Sequence, residues 1–421
     1  MNKTTLHITL ITLLTFIGGL HPVAVDAASV LTVSPSSPGG IRSACMRASA
    51  GDTIVVRSGF YREGSIVIDR PLVLTAPSGA VIDAGDTAEI LIVRSHDVRI
   101  NGFTLKNTGT SYIHERAAVR LERATNCVIE NNTIINANYG IYSGKSSQVT
   151  IRNNTIHGTA RTESGSGNGI HCWYCQDYRI EKNTIISHRD GIYLEFTTGT
   201  RVQGNESKDN MRYGLHFMFS HHNGYYYNNF HHNGSGVAVM YTNTIEMIGN
   251  IFADNLGDAS YGLLLKDITN GVIRNNVFRA NTTGIYTESG GSLQIRQNDF
   301  IGNGWALRLM ASSTNNTIDS NNFLSNSFDV ATNSYGTPCT FHGNYWDTYT
   351  GYDIDKDRVG DVPFRPVRLF STIIEQNAPA MLLLHSFFVS LLDIAESIFP
   401  TVTPAGMQDP APSMHHLNTR L

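Results

Sequence analysis

The sequence contains little cysteine, proline or tryptophan, and it has no long run of basic residues. With 5 cysteines, 13 prolines and 3 tryptophans among 421 residues, a small scaffold built from disulfides is excluded. The odd number of cysteines leaves at least one thiol unpaired in a monomer. A formal net charge of -4 gives no basic surface of the kind that binds nucleic acid. Nucleic acid is therefore not an expected partner.

Apolar runs long enough to span a membrane are also scarce. The run between residues 6 and 20 follows Lys3, but it is short and is interrupted by a histidine and several threonines. Val25 and Ala27 then supply the small residues that a signal peptidase reads. We predict a cleaved signal peptide over residues 1–27, and hence an exported protein.

A repeat of 22 or 23 residues is what the sequence does contain. Asparagine recurs in phase, usually two places before an apolar residue, at Asn132, Asn154, Asn183, Asn205, Asn228, Asn250, Asn276, Asn298, Asn321 and Asn344. Glycine followed by an apolar residue forms a second series in the same phase, at Gly140, Gly169, Gly191, Gly214, Gly236, Gly262 and Gly284. Short alternating segments between these residues predict strands and leave no room for helices.

Such short strands cannot bury an apolar face alone, so the units must stack into a solenoid. The in-phase asparagines suit this arrangement, because a buried amide can bond to the asparagines above and below while the backbone turns in a left-handed corner. We predict an all-β fold: a right-handed parallel β-helix over residues 28–346, then an acidic loop and linker over 347–374. An amphipathic helix and tail over 375–421 would cover the end of the core or meet a partner.

Soft metal ligands gather on the predicted outer face. Side chains alternate across a strand, so the second and fourth residues after each glycine point outward, which places His216 beside Met218 and stacks Met218 on Met240. Two thioethers and an imidazole suit Cu(I), and we predict an exposed, transient copper site there. The alternative is an apolar surface for a protein partner, since methionine also serves such contacts. His221, His222, His231 and His232 are expected in turns.

Two further groups could bind metal. Cys172 and Cys175 form a C-x-x-C pair; we expect Cys172 to point inward and Cys175 to lie in a turn, in a structural role. An acidic stretch follows the solenoid and predicts a possible calcium site through Asp353, Asp355, Asp357 and Asp361. It lacks the glycine and the glutamate of an EF-hand, so the alternative is a polar turn.

Many β-helix proteins cut polysaccharides, which raises the question of catalytic carboxylates. Asp190 and Glu195 lie on one predicted coil, but no close pair of acids with the separation of a glycosidase is evident. Arg189 and Asp190 are expected to form an ion pair in a turn. A polysaccharide-binding or polysaccharide-modifying protein, such as a lyase, hydrolase or epimerase, remains the alternative function.

The motifs RDGIYLEF, RYGLHFMFS, GVAVMY, YGLLLKDI and NYWDTYTGYDIDKDRVGDVPF, in this order, resemble the NosD family of periplasmic accessory proteins for nitrous oxide reductase maturation. Their ordered series is more specific than the asparagine repeat, which carbohydrate-binding and sugar-hydrolase β-helices share. The resemblance implies a non-catalytic protein that works with an ABC transporter, made of a permease and an ATPase, and with a copper chaperone. Its role would be copper delivery to the apo reductase, with membrane association only through the permease.

Overall fold

The computed structural model describes residues 28–111, 113–333, 339–384, 386–398 and 407–418. The predicted signal peptide, residues 1–27, lies outside the described residues. Within them the chain winds into a parallel β-solenoid of about 14 turns with few helices. The predicted all-β parallel β-helix is confirmed.

The strands form three parallel stacks that run along the solenoid. Stack 1 comprises Ile66–Ile68, Leu91–Val93, Ala117–Glu122, Tyr139–Gly144, Ile170–Trp173, Asp190–Glu195, Tyr213–Met218, the first parts of Ser235–Ile248, Tyr261–Arg274 and Thr283–Gly291, then Trp305–Leu309 and Phe328–Ala331. Stack 2 comprises Val30–Val33, Thr53–Val56, the first parts of Val73–Asp83 and Arg99–Lys106, then Val128–Glu130, Thr150–Arg152, Arg179–Glu181, Arg201–Gln203, Asn223–Tyr226, the second parts of Ser235–Ile248 and Tyr261–Arg274, then Gln294–Arg296, Asn316–Asp319 and Cys339–His342. Stack 3 comprises Gly59–Tyr61, the second parts of Val73–Asp83 and Arg99–Lys106, then Thr133–Ile135, Thr155–His157, Thr184–Ile186, Glu206–Lys208, Asn229–His231, Ile251–Ala253, Val277–Arg279, Asp299–Ile301, Asn322–Leu324 and Tyr345–Trp346.

One continuous apolar core runs inside the three stacks. Because most coils place an apolar residue at equivalent inward positions, apolar side chains stack from coil to coil. The clearest series consists of fully buried aromatic rings whose neighbouring centroids lie 4.1 to 5.7 Å apart: Phe230, Phe252, Phe278, Phe300, Phe323 and Trp346.

The repeated asparagines form a buried ladder along one corner of the solenoid. In the middle of the series, the backbone N–H and the side-chain Nδ2 of Asn228 both donate to Oδ1 of Asn250, at 3.0 and 2.9 Å. The same pair of bonds links each asparagine of the series from Asn132 to Asn344. The left-handed residue is the one before each asparagine, such as Tyr227 at φ 55°, so the corner lies one position earlier than predicted.

A second asparagine ladder, absent from the sequence prediction, follows another corner. Its members are Asn210, Asn233, Asn255, Asn281, Asn303 and Asn326. His188 occupies the position before the first of them, and its backbone N–H donates to Oδ1 of Asn210 at 3.0 Å. His188 is 1% exposed, and burial lowers its pKa to about 3. The imidazole therefore stays neutral in the folded protein.

Short helices lie at both ends of the solenoid. Helix α1, Gly40–Arg47, covers the first coil, and the carboxylate of Glu63 accepts the N–H groups of Ile41 and Arg42 at its start. At the other end lie α2, Leu369–Gln376, a 3₁₀ helix, Ala378–Leu383, and α3, Phe387–Ile398. The helical region thus begins at Leu369, within the predicted linker, and is divided into three pieces.

The C-terminal helices rest on the last coils of stack 1. Arg308 holds them through two bonds to the carboxylate of Glu375, at 2.8 and 2.9 Å. The Phe370 ring packs on Phe328 with centroids 6.2 Å apart. Helix α3 nevertheless leaves an apolar face uncovered, since Phe387 is 77% exposed and Leu382 in the 3₁₀ helix is 91% exposed.

The tail closes the asparagine ladder. The fully buried carboxylate of Asp409 accepts the backbone N–H and the Nδ2 of Asn344 at 3.0 and 2.9 Å, where the next asparagine of the ladder would stand. It also accepts Nε1 of Trp346 at 3.2 Å and the N–H of Gly343 at 3.1 Å. The predicted covering role at the end of the core therefore belongs to the tail as well as to the helices.

Candidate functional site

The strand register brings Met218 and Met240 together. They are directly paired residues on adjacent strands of stack 1, and both side chains are partly exposed on the outer face. Leu215 and Phe217 point into the core and are fully buried, so His216 and Met218 share the outer face as predicted. The backbones of neighbouring coils are about 4.8 Å apart, so the two thioethers can reach the same soft ion.

His216 lies in the predicted column but is not exposed, which corrects the expectation of an open patch. It is 4% exposed because its ring is stacked on Tyr193 at 4.6 Å and covered by Tyr213 at 4.9 Å. Its Nε2 atom is buried and has no hydrogen-bond partner among the described residues. An imidazole nitrogen without a partner is compatible with a metal ligand.

A charged network behind His216 was missed by the sequence analysis. Asp190 is fully buried and accepts two bonds from Arg212, at 3.1 and 2.9 Å, while its Oδ2 lies 3.7 Å from Nδ1 of His216. Arg189, the expected partner, is more distant at 3.8 Å. Burial raises the pKa of Asp190, but His216 and Arg212 outweigh this effect and hold it below its usual value. Arg212 also bonds to Glu163, on the polar insertion, at 3.0 Å.

Carboxylates behind ligating histidines orient the ring and raise its basicity in known metal sites. Asp190 lies on the Nδ1 side of His216, but at 3.7 Å its oxygen is too distant for a hydrogen bond, and Nδ1 lies closer to the Arg212 guanidinium, at 3.4 Å. The sequence gives one signal of the network: Asp190 and Tyr213 occupy the same position on adjacent coils, before the glycine of each repeat. That Arg212 and Glu163 belong to this network is visible only in the three-dimensional structure.

Four aromatic residues form a stacked ridge beside the methionines. Each directly follows a residue of the outward column, and neighbouring centroids are 4.6 to 5.2 Å apart: Tyr174, Phe196, Phe219 and Tyr241. All four have φ near 50°, a left-handed conformation that costs a bulky residue about 1–2 kcal/mol. Flanking coils place Lys145 and Asp267 at the same corner. The aromatic ridge is thus confined to the coils around Met218 and Met240.

The cysteine pair behaves as a structural element. All five cysteines are buried free thiols, and Cys172 points inward as predicted. Sγ of Cys175 donates to the carbonyl of Trp173, the bond that Thr197 makes to Glu195 one coil later. Hydrogen bonding from Cys172 lowers the pKa of Cys175, whereas burial raises the pKa of Cys172. Cys175 therefore fills a corner position that hydroxyl residues occupy in neighbouring coils.

The remaining predicted histidines lie at turns or strand ends. His222 and His232 have left-handed backbones at exposed corners. His221 accepts the N–H of Asn243 at 3.2 Å, and His231 lies 3.1 Å from a carboxylate oxygen of Glu206. Contacts of this kind are those of ordinary surface histidines.

The acidic loop brings together three of the four predicted calcium ligands. Carboxylate oxygens of Asp353, Asp355 and Asp357 lie within 4.8 Å of one another. Asp361 is instead bonded to the N–H of Ile354 at 2.7 Å and is not part of this group. The oxygens of Asp353 already accept the N–H groups of residues 356, 357 and 358. The loop thus satisfies the alternative prediction of a polar turn, and calcium binding stays a prediction.

The C-terminal helices, at the end of the solenoid, expose a cluster of large apolar side chains. In the 3₁₀ helix and α3, the exposed large side chains are Leu382, Leu383, Phe387, Phe388, Leu391, Ile394 and Ile398. Among helices in the described part of the chain, none has both the length and the apolar character to cross a bilayer.

Comparison with known proteins finds two matching family models and several similar relatives. A family model described as "Periplasmic copper-binding protein (NosD)" matches residues 156–351, and one described as "Right handed beta helix region" matches residues 76–167. A "Probable ABC transporter binding protein NosD" of Pseudomonas aeruginosa is 29% identical over 370 residues, covering 83% of this chain and 86% of the relative. A protein of the same description from Stutzerimonas stutzeri is 28% identical over 372 residues, covering 84% of each.

Solved structures show the same fold at low identity. The A-module of the Azotobacter vinelandii mannuronan C-5 epimerase AlgE6 aligns with a TM-score of 0.50 at 16% identity, covering 70% of this chain and 90% of that module. The Dettilon tailspike protein aligns with a TM-score of 0.57 at 15% identity, covering 73% and 70%. These likenesses concern the right-handed β-helix alone. The family model over residues 156–351 and two relatives covering most of the sequence agree with the motif series: this chain is similar to NosD proteins over most of its length.

Proposed function

We propose that this chain is a periplasmic accessory protein of nitrous oxide reductase maturation that holds Cu(I) transiently between Met218, Met240 and His216. The likeness to NosD proteins supports the maturation role. The direct pairing of the two methionines on adjacent strands is the observation that carries the copper site. A thioether needs no deprotonation to bind metal, so such a site works over a wide range of pH.

The chemistry of the three side chains fits a copper ion in transit. Two sulfurs and a nitrogen select a soft monovalent ion. A site with only three ligands at a partly exposed face holds the ion loosely enough for release to the apo reductase. In this proposal the chain has no catalytic centre of its own, and the partner ATPase performs the hydrolysis.

The aromatic ridge supports docking of the copper chaperone at the same place. Stacked rings turn their faces toward one another and their edges outward, so the ridge offers an apolar contact rather than a platform for sugar rings. Tyr174, Phe219 and Tyr241 are 50%, 40% and 38% exposed. We propose that the chaperone covers this ridge while it passes copper to the methionines.

Association with the ABC transporter is proposed for the C-terminal end of the solenoid. Relatives are named as ABC transporter binding proteins, and the exposed apolar face of α3 suits contact with a permease. Membrane association would then be indirect.

Replacing both methionines by leucine separates a metal site from a purely apolar contact. Leucine keeps volume and apolarity, so the variant should lose less than about 1.5 kcal/mol of stability per site. We expect it to fold, to bind its partners and to yield a reductase short of copper, with its own Cu(I) binding reduced in competition with a chromophoric Cu(I) chelator.

A matched control is Met211→Leu, because Met211 is also exposed but lies outside the outward column. That variant should bind Cu(I) like the wild type. Full Cu(I) binding and a fully loaded reductase in the double variant would show that the methionines are contact residues.

A further inference from the structure

Two opposite charges flank the methionine pair on the outer face. The strand register pairs Glu195 directly with Met218. On the other side of the pair, it places Lys266 directly opposite Met240. Neighbouring strands are about 4.8 Å apart, so each charged side chain starts one coil away from a methionine. The order along the outward column is therefore carboxylate, thioether, thioether, ammonium.

The negative charge of Glu195 is not cancelled by a neighbouring cation. Nε2 of His171 lies 3.8 Å from Oε2 of Glu195. Nδ2 of Asn168 donates to Nδ1 of His171 at 3.4 Å, which leaves the ring proton on Nε2, facing the carboxylate. Burial lowers the pKa of His171, so the ring stays neutral. No lysine or arginine in the described part of the chain forms an ion pair with Glu195, whose side chain is 27% exposed.

The positive charge of Lys266 is only partly compensated. Its Nζ lies 3.8 Å from Oε2 of Glu288, on the next coil, and the two side chains are 39% and 43% exposed. Exposed pairs of this kind stay hydrated and interact weakly. The ammonium group therefore keeps much of its charge towards Met240. A cation held by the methionines is attracted from one side of the pair and repelled from the other.

We propose that Glu195 draws the copper cargo to Met218 and Met240, and that Lys266 limits how tightly they hold it. The inference rests on the copper site proposed above and adds two positioning residues that act through their charge, without binding the metal. Unit charges about 5–7 Å apart at a hydrated surface change a binding constant roughly 3–10-fold. A carrier must both take up copper and release it, and opposing charges suit this double task.

The test measures the Cu(I) affinity of the full chain by anaerobic competition with a chromophoric Cu(I) chelator, at low and at high salt. Glu195→Gln should weaken binding roughly 3–10-fold at low salt. The difference should nearly disappear at about 1 M salt, where the screening length is only about 3 Å. Glu195→Asp keeps the charge and should bind nearly like the wild type. Lys266→Gln should strengthen binding at low salt, because it removes the repulsion.

A matched control is Glu122→Gln. Glu122 belongs to the same outward column and its side chain is 38% exposed, but it lies four coils from Met218. At about 19 Å its charge should change the Cu(I) affinity by less than about 2-fold.

Three results would overturn the proposal. The first is an equal low-salt affinity of Glu195→Gln and the wild type, and the second is weaker binding by Lys266→Gln. The third is a loss in Glu195→Gln that persists at high salt, because it would indicate a ligand or a folding defect rather than a charge effect. Each of these leaves the copper site standing as long as the methionine double variant loses Cu(I) binding. If that variant binds Cu(I) like the wild type, the site itself is absent.

Discussion

The carboxylate of Asp409 provides the sharpest test of how the solenoid ends. Replacing Asp409 by alanine removes the acceptor for three buried donors of the last coil: the N–H and Nδ2 of Asn344 and the Nε1 of Trp346. An unsatisfied buried donor costs about 1–3 kcal/mol. Water can reach this end once the tail loosens, so we take the lower value for each donor and expect a loss of about 3 kcal/mol.

The loss should be local, because each coil of a solenoid contacts only its neighbours. Hydrogen exchange measured by mass spectrometry should show amides of Cys339–His342 exchanging on the order of 100-fold faster, the factor that about 3 kcal/mol corresponds to. Amides of Thr53–Val56, in the second coil, should be unaffected and serve as the internal reference.

Asp409→Asn refines the test, because it keeps the size of the side chain and removes its charge. Charged acceptors bond about twice as strongly as neutral ones, so roughly half of the effect should remain. Unchanged protection of the last coil in Asp409→Ala would refute the cap. A uniform loss of protection along the chain would refute the local character of the effect.

Two other predictions concern the partner surface and pH. Changing Leu382, Phe387 and Leu391 to serine should weaken association with the permease without changing the melting temperature, because these side chains are 91%, 77% and 47% exposed. The control is Ile113→Ser, at an 82% exposed site on the solenoid. Unchanged association in the triple variant would contradict docking through α3. Deleting residues 376–421 is less informative, since it also removes Asp409. Burial lowers the pKa of His188 from 6.5 to about 3. Between these two pH values the unfolded chain binds a proton that the folded chain does not bind. The free energy of unfolding should therefore fall as the pH drops from 6.5 towards 3. His188→Asn, which extends the second asparagine ladder, should flatten this dependence in denaturant titrations; an equally steep dependence would exclude His188 as its source.

The sequence by itself determined the coil and its register. A period of 22 or 23 residues with alternating apolar positions leaves only stacked strands as a way to bury the apolar faces. Counting from the glycine of each repeat then placed Met218 opposite Met240, because side-chain direction alternates along every strand. The stacking of the in-phase asparagines followed from the same period.

The tertiary structure alone decided which groups surround the site. Contacts between coils join residues about 22 positions apart, but insertions and the tail break that period. Glu163 reaches Arg212 from an insertion, and Asp409 reaches Asn344 from the tail, at separations that no repeat encodes. Alternation likewise shows that His216 points outward, yet its burial depends on how the Tyr193 and Tyr213 rings pack around it. Packing of neighbouring side chains, which depends on their rotamers rather than on period, therefore set the chemistry of the site.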